Sequence, residues 1–219
     1  MYQLFCDSNC ELWHTTVKEL GLHVIRMPYV MDGEEIFYDM GEKHDFKGFF
    51  DKMRAGATPK TAALNEYAYM EYFEPILASG EDIYYITFSH QMSGTFNAMK
   101  NVIAQLKEKY PEREIRFKDS KLISLGSGFV TYYGALKYKE GATMDELDAY
   151  VEQYRPDVAV LTVPQSVAQP LADRLIDLGI RGFWNFTNVE LSSSNPNVKF
   201  ENIHFADSLL PLSYRIANR

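Results

Sequence analysis

The sequence predicts an α/β fold with a largely parallel, Rossmann-like sheet flanked by helices. Three observations carry that prediction. Short β-rich runs alternate with longer amphipathic segments along nearly the whole chain, the pattern that right-handed strand–helix–strand crossovers produce. Two of the runs, Asp82–Phe88 (DIYYITF) and Val158–Val163 (VAVLTV), are almost continuously apolar, as strands covered on both faces are. Small hydroxyl residues (Ser8, Ser89, Ser120) follow the predicted strands, at the carboxyl ends where such sheets bind ligands.

Each element has its own reason. Tyr2–Cys6 reads as a buried strand. Asp7-Ser8-Asn9 are capping residues for a helix over Glu11–Leu20, which Gly21 ends. His23–Val30 is a second strand, and Asp32-Gly33 is a tight-turn signal. Asp45–Arg54 is a helix with Phe46, Phe49, Phe50 and Met53 at helical spacing. Ala55–Thr61 is a Gly/Pro loop, and Asn65–Leu77 is a helix that stops near Gly80. Asp82–Phe88 is the central strand, and Ser93-Gly94-Thr95 opens a helix through Glu108. Glu114–Lys118 is a strand. Ser124–Lys139 is a flexible glycine-containing turn leading into a helix, and Met144–Tyr154 is a helix before Pro156. Val158–Val163 is a buried strand and Ala168–Leu178 a helix closed by Gly179. Gly182–Phe186 and Val198–His204 are strands around the polar loop Leu191–Asn197, and Asp207–Ala217 is a terminal helix.

Composition narrows the function. The 219 residues are 46% hydrophobic, 24% charged and 14% aromatic, with a formal net charge of -8. An acidic chain of this kind does not neutralise a run of phosphates, so nucleic acid is not an expected partner. No apolar run reaches the roughly 18 residues of a membrane span. The start has neither a basic region nor a small-residue cleavage site, so the expected compartment is the cytoplasm, without integral membrane contact. Cys6 and Cys10 are too few for a disulfide framework or a zinc site, and the five histidines show no metal spacing. No Gly-x-Ser-x-Gly elbow is present, and His90 is too local to Ser93 for a triad. These residues offer no catalytic constellation and no metal site, so no catalytic residues and no metal are expected. Ser93-Gly94-Thr95 puts free N–H groups and a positive helix end where a carboxylate would fit; on residue type alone, Ser93 reads first as a simple helix cap.

Over residues 1–142 the ordered motifs Cys6-Asp7-Ser8, Asp32-Gly33-Glu34, Pro59-Lys60-Thr61, Ser89-His90-Gln91-Met92-Ser93-Gly94-Thr95, Asp119-Ser120 and Gly126–Gly128 resemble the DegV family of bacterial fatty-acid-binding proteins. The resemblance implies a long-chain fatty acid held at its carboxylate by Thr61 and Ser93, with Gly94, Thr95 and Ser8 around them. It implies an apolar tunnel for the tail, which Phe46, Phe49, Phe50, Met53, Met70 and Phe73 would line, and a fatty-acid kinase as partner. The sequence departs from the family at Ala62-Ala63, where Ser-Gln is usual, and its residues after 142 are not expected to form the family's second domain.

Residues 143–219 resemble instead the carboxyl end of Rex, the NADH-sensing repressor. The resemblance lies in Asp157–Pro164, Ala168-Gln169, Ala172–Leu175, Gly179-Ile180, Trp184–Phe186 and Glu201–Leu209, with Leu212-Ser213-Tyr214. It implies that these strands complete the DegV-type sheet, as in a fusion of two α/β pieces. It also implies an alternative NAD(H) site at Thr162, Val163, Pro164, Asn185 and Phe186, making the protein a nucleotide-responsive sensor. A third reading is a ligand-free scaffold. Rex's glycine-rich phosphate turn and winged helix are absent, and Asn188 stands where Pro is usual. The terminal helix, with Leu209, Leu210 and Leu212, is the expected contact of a homodimer.

Overall fold

The computed structural model describes residues 1–154, 157–203, 213, 214 and 216, in two compact units, Met1–Tyr154 and Arg155–Arg219. In chain order the first unit runs β1 (Tyr2–Asp7), α1 (His14–Leu20), β2 (His23–Ile25), β3 (Pro28–Met31), β4 (Glu34–Phe37), α2 (Phe46–Arg54) and β5 (Lys60–Thr61). It continues through α3 (Glu66–Ala78), β6 (Asp82–Thr87), α4 (Thr95–Lys109), β7 (Ile115–Asp119), α5 (Leu125–Lys139) and α6 (Met144–Gln153). Four strands form a parallel sheet in the order β2-β1-β6-β7. The run DIYYITF is central, as its apolar continuity requires.

Strand alternation sorts the core into two layers. Phe5, Ile83 and Tyr85 face α3 and α4 and pack with Tyr69, Phe73, Met99, Val102 and Leu106. Leu4, Tyr84 and Ile86 face the other way and pack with Val17, Leu20, Val130, Leu147 and Val151 of α1, α5 and α6. Burying each of these large side chains contributes about 1.5–3 kcal/mol. The boundary expected at residue 142 therefore falls later. Helix α6 closes the second layer, and its Asp148 accepts a 2.8 Å hydrogen bond from the Tyr84 hydroxyl.

Local chemistry moves several other elements. The helix expected from Glu11 begins only at His14, because Glu11 sits in the left-handed region (φ 54°) and a short 3-10 turn, Ser8–Cys10, intervenes. The strand expected over His23–Val30 is two strands. The Met27 N–H donates to Ser8 Oγ at 2.9 Å, breaking the ladder, and β3 joins a separate antiparallel sheet, β4-β3-β5. Asp32 and Gly33, both at positive φ (54° and 82°), make the β3–β4 turn. Gly126–Gly128 is no flexible turn but the first part of α5.

The second unit runs β8 (Val158–Leu161), α7 (Gln165–Asp177), β9 (Gly182–Asn185) and β10 (Lys199–Asn202). Its strands do not extend the first sheet. They form their own parallel sheet, β10-β9-β8, around Leu161, Ala168, Ala172, Ile180 and Phe183, a self-sufficient apolar set. Val158 and Val160 are exposed, not buried, because they alternate with Ala159 and Leu161 on the other face. Leu209, Leu210 and Leu212, on which the dimer expectation rests, lie outside the described residues. Among the described residues, no helix is long and apolar enough to cross a membrane.

Candidate functional site

In the first sheet β1, β6 and β7 end on the same edge, and the loops that follow them border one cleft of about 650 Å³. Ser8, Asn9 and Glu11 enter it from behind β1. Phe88, Met92, Ser93 and Gly94 come from the β6–α4 connection, and Ile123 and Ser124 from the β7–α5 connection. The antiparallel sheet adds Met27, Pro28, Tyr29, Thr61, Ala62 and Ala63, with Tyr38 following β4. Four of the five expected ligand-binding residues, Ser8, Thr61, Ser93 and Gly94, therefore meet around one space. Thr61 reaches it because β5 pairs with β3, placing Thr61 opposite Tyr29.

The cleft is supplied with neutral donors. Ser8 Oγ accepts the Met27 N–H at 2.9 Å, and Ser93 Oγ accepts the Thr95 N–H at 3.2 Å. Each hydroxyl acts as acceptor in that bond and keeps its proton to donate. Gly94 and Ser124, the residues capping α4 and α5, both line the cleft, and neither caps its helix with a side chain. The amino ends of two 15-residue helices thus border the same space, which favours negative charge there.

Thr95, the fifth expected residue, does not line the cleft. It is 1% exposed. Its hydroxyl donates to the Leu64 carbonyl at 3.2 Å, and the Tyr69 hydroxyl lies 3.0 Å from its Oγ1, anchoring the start of α4 to α3.

Beneath the cleft, Asp7 joins the ends of β1 and β6. Its carboxyl accepts from the Asn9 N–H at 3.0 Å, the Tyr85 hydroxyl at 3.0 Å and the Phe88 N–H at 3.2 Å. Full burial pushes its pKa up to about 7; the three hydrogen bonds oppose that rise without cancelling it. His90 pairs through Nδ1 with the Asp119 carboxylate, tying the β6 loop to the end of β7. Among the described residues no group of His, Cys, Asp or Glu is placed to hold a metal.

The enclosed tunnel expected of Phe46, Phe49, Phe50 and Met53 is an open face instead. Helix α2 buries none of its residues, and Phe46, Phe50 and Met53 are 38%, 48% and 41% exposed. Phe73 belongs to the core and Met70 packs against it. The open face reaches the cleft through Tyr29, whose ring meets Phe49 edge-on at 5.5 Å.

In the second unit, Thr162, Val163, Pro164 and Phe186 line a cleft of about 470 Å³ with Gln165, Thr187 and Asn188. Asn185 is not part of it. Buried, it donates to the Val189 carbonyl at 2.6 Å and to Asn202 Oδ1 at 2.7 Å, and accepts from the Thr187 N–H and hydroxyl. It holds the strand ends together.

Glu11, Tyr29, Tyr38 and Ser124 were missed as site residues. No short-range pattern marks them: the Ser124 hydroxyl donates to Glu11 Oε2 at 2.6 Å across 113 residues of sequence.

Comparison with known proteins bears on the family and the fold. The family model described as "Uncharacterised protein, DegV family COG1307" matches residues 1–169. The DegV domain-containing protein CPE0026 of Clostridium perfringens is 32% identical over 152 residues, 69% of this chain and 52% of its own length. The chain thus spans about half the length of that relative. A stearic acid-binding protein from Eubacterium ventriosum has the same fold over 69% of this chain and 52% of its own, with a TM-score of 0.61 and 20% identity. The fatty acid kinase B3 protein of Streptococcus pneumoniae, loaded with linoleic acid, superposes with a TM-score of 0.57 and 17% identity over 70% of this chain and 54% of its own. Toward the carboxyl end, the redox-sensing repressor Rex of Caldicellulosiruptor saccharolyticus is 41% identical over 73 residues, 33% of each protein.

Proposed function

This chain belongs to the DegV family, and on that premise we propose that it is a binding protein, not an enzyme, which holds a long-chain fatty acid by its carboxylate in the first-unit cleft and presents it to a fatty-acid kinase. The observation that carries the reading is the convergence of Ser8, Thr61, Ser93 and Gly94, contributed by separate segments, on one space. A carboxylate head needs a few fixed donors, and hydroxyls beside two helix amino ends supply them. The tail needs apolar wall. Met27, Pro28, Tyr29, Phe88 and Met92 begin it inside the cleft, and the α2 face continues it. Each buried methylene contributes about 0.8 kcal/mol, so a long chain binds tightly through few polar contacts. Thr61 is exposed, which leaves the head group within reach of a partner enzyme.

The second unit is given no cofactor role. Its similarity to Rex covers a third of the chain, the lining of its cleft contains no Lys or Arg, and no glycine-rich phosphate turn occurs in the sequence.

The test is lipid extraction of the purified protein, with the fatty acid quantified by mass spectrometry. The wild type is expected to carry close to one acyl chain per protein. The Thr61→Ala, Ser93→Ala double variant, with an unchanged melting curve, is expected to retain under about a tenth of that, since two hydrogen bonds to a charged group are worth about 1.5–3 kcal/mol each. Undiminished lipid in the double variant refutes the site. A wild type that neither carries nor takes up fatty acid refutes the function.

A further inference from the structure

The cleft is bordered by two helix amino ends, yet one acid, the exposed Glu11, lines it. Glu11 is the only acidic or basic residue (Asp, Glu, Lys, Arg or His) among the described residues lining the space. We propose that Glu11 sets the charge specificity of the cleft, admitting a singly charged carboxylate head and disfavouring a doubly charged phosphate head. The inference rests on the fatty-acid reading and deepens it.

The placement of Glu11 is built in. Its backbone takes φ 54°, and Ser124, its partner, takes φ 57°; non-glycine residues seldom adopt such positive φ values. The Ser124 hydroxyl donates to Glu11 Oε2 at 2.6 Å, and the Glu11 N–H donates to the Ser8 carbonyl at 3.4 Å. Two uncommon backbone conformations thus meet in one hydrogen bond, which pins a carboxylate at the amino end of α5. The charge is felt inside the cleft. The Tyr38 hydroxyl, also lining it, is pushed up in pKa first by burial, then by Asp39 and by Glu11.

A head group carrying one charge meets the helix ends and hydroxyl donors against a single repulsion from Glu11. A second charge on the head doubles that repulsion; against it stand only the partial charges of two helix ends, one of which the Glu11 carboxylate already faces, and the lining offers no cationic side chain. Like-charge juxtaposition of this kind is a common device of selectivity. One consequence concerns reaction order: an acyl phosphate formed on the bound head would be held less tightly than the acid that preceded it, so phosphorylation would itself promote release.

Glu11→Gln removes the charge and keeps an oxygen to accept from Ser124. The probe pair is tetradecanoate and tetradecyl phosphate, each below its micellar concentration, displacing a bound fluorescent fatty acid at pH 8, where the phosphate (second pKa about 6) is doubly charged. The wild type is expected to prefer the carboxylate by about tenfold, and Glu11→Gln to narrow that preference by about fivefold, chiefly through tighter phosphate binding. In the wild type, raising the ionic strength from about 0.02 to 0.5 M is expected to narrow the preference as well, a check that needs no variant. A ratio unchanged by Glu11→Gln, an equal weakening of both ligands, or a preference indifferent to salt overturns the proposal while leaving the fatty-acid site standing. Failure of tetradecanoate to displace the probe from the folded wild type overturns the fatty-acid reading, and this inference with it.

Discussion

Asp7→Asn is expected to remove most of a loss of stability that the wild type undergoes between about pH 4 and pH 7. Burial raises the Asp7 pKa from 3.8 to about 7. The folded state therefore holds a proton that the unfolded state has released, and stability falls as pH rises through that window. At 1.36 kcal/mol per pH unit the difference amounts to about 4 kcal/mol, present below the unfolded pKa and gone above about pH 7. Carboxylates with the opposite sign, among them Glu74 and Glu152 beside Lys109 and Lys118, lie at the exposed surface and add stability as pH rises through a lower, acidic range. They do not mask the effect of Asp7. Asparagine is neutral at every pH and close in shape, though it gives up one of the three accepted hydrogen bonds. The wild type is expected to be the more stable protein at pH 5 and Asp7→Asn at pH 8. Urea titrations followed by Trp13 fluorescence, in a Trp184→Phe background, measure the crossing. Parallel pH profiles for the two proteins contradict it.

Gly128→Ala is expected to destabilise the first unit by about 2–3 kcal/mol and to loosen the cleft. A Cβ at residue 128 meets the Cys10 carbonyl oxygen at 2.3 Å. That atom is backbone, so relief requires the 3-10 turn carrying Ser8 and α5 to move apart, a severe case of overpacking. Gly126, two residues earlier in the same helix, makes the control. Its added Cβ meets Leu122 no closer than 3.4 Å, and alanine there is expected to be neutral or stabilising by up to about 1 kcal/mol through helix propensity. Chemical denaturation separates the two variants, and equal effects at both positions refute the close approach.

Much of the fold was legible because local chemistry and tertiary demand agree. The continuous apolar run Asp82–Thr87 can only be central. Asp32-Gly33 dictates its turn, and Asn65 and Gly21 mark helix ends by capping and by positive φ. Legibility failed where long-range contacts decide. Met27 leaves its ladder for Ser8 Oγ, and no pattern within His23–Val30 foretells that. Gly126 and Gly128 look like a loop, yet Gly128 is a helical residue whose missing side chain makes room for Cys10. The residues after 157 looked like strands for the first sheet because their apolar alternation says only that they need a partner; it does not say which. At the site, the motifs at Ser8, Thr61 and Ser93 were visible as short patterns, whereas Glu11 and Ser124 become a pair only once β1 and β7, on either side of β6, end on the same edge of the sheet.

A crystal structure of the chain grown with a saturated long-chain fatty acid tests the central claim most directly. The account predicts the carboxylate within hydrogen-bond distance of the Ser93 and Thr61 hydroxyls and the first methylenes against Tyr29 and Met27. A carboxylate bound elsewhere on the molecule, or a cleft left without an acyl chain at saturating ligand, would contradict it.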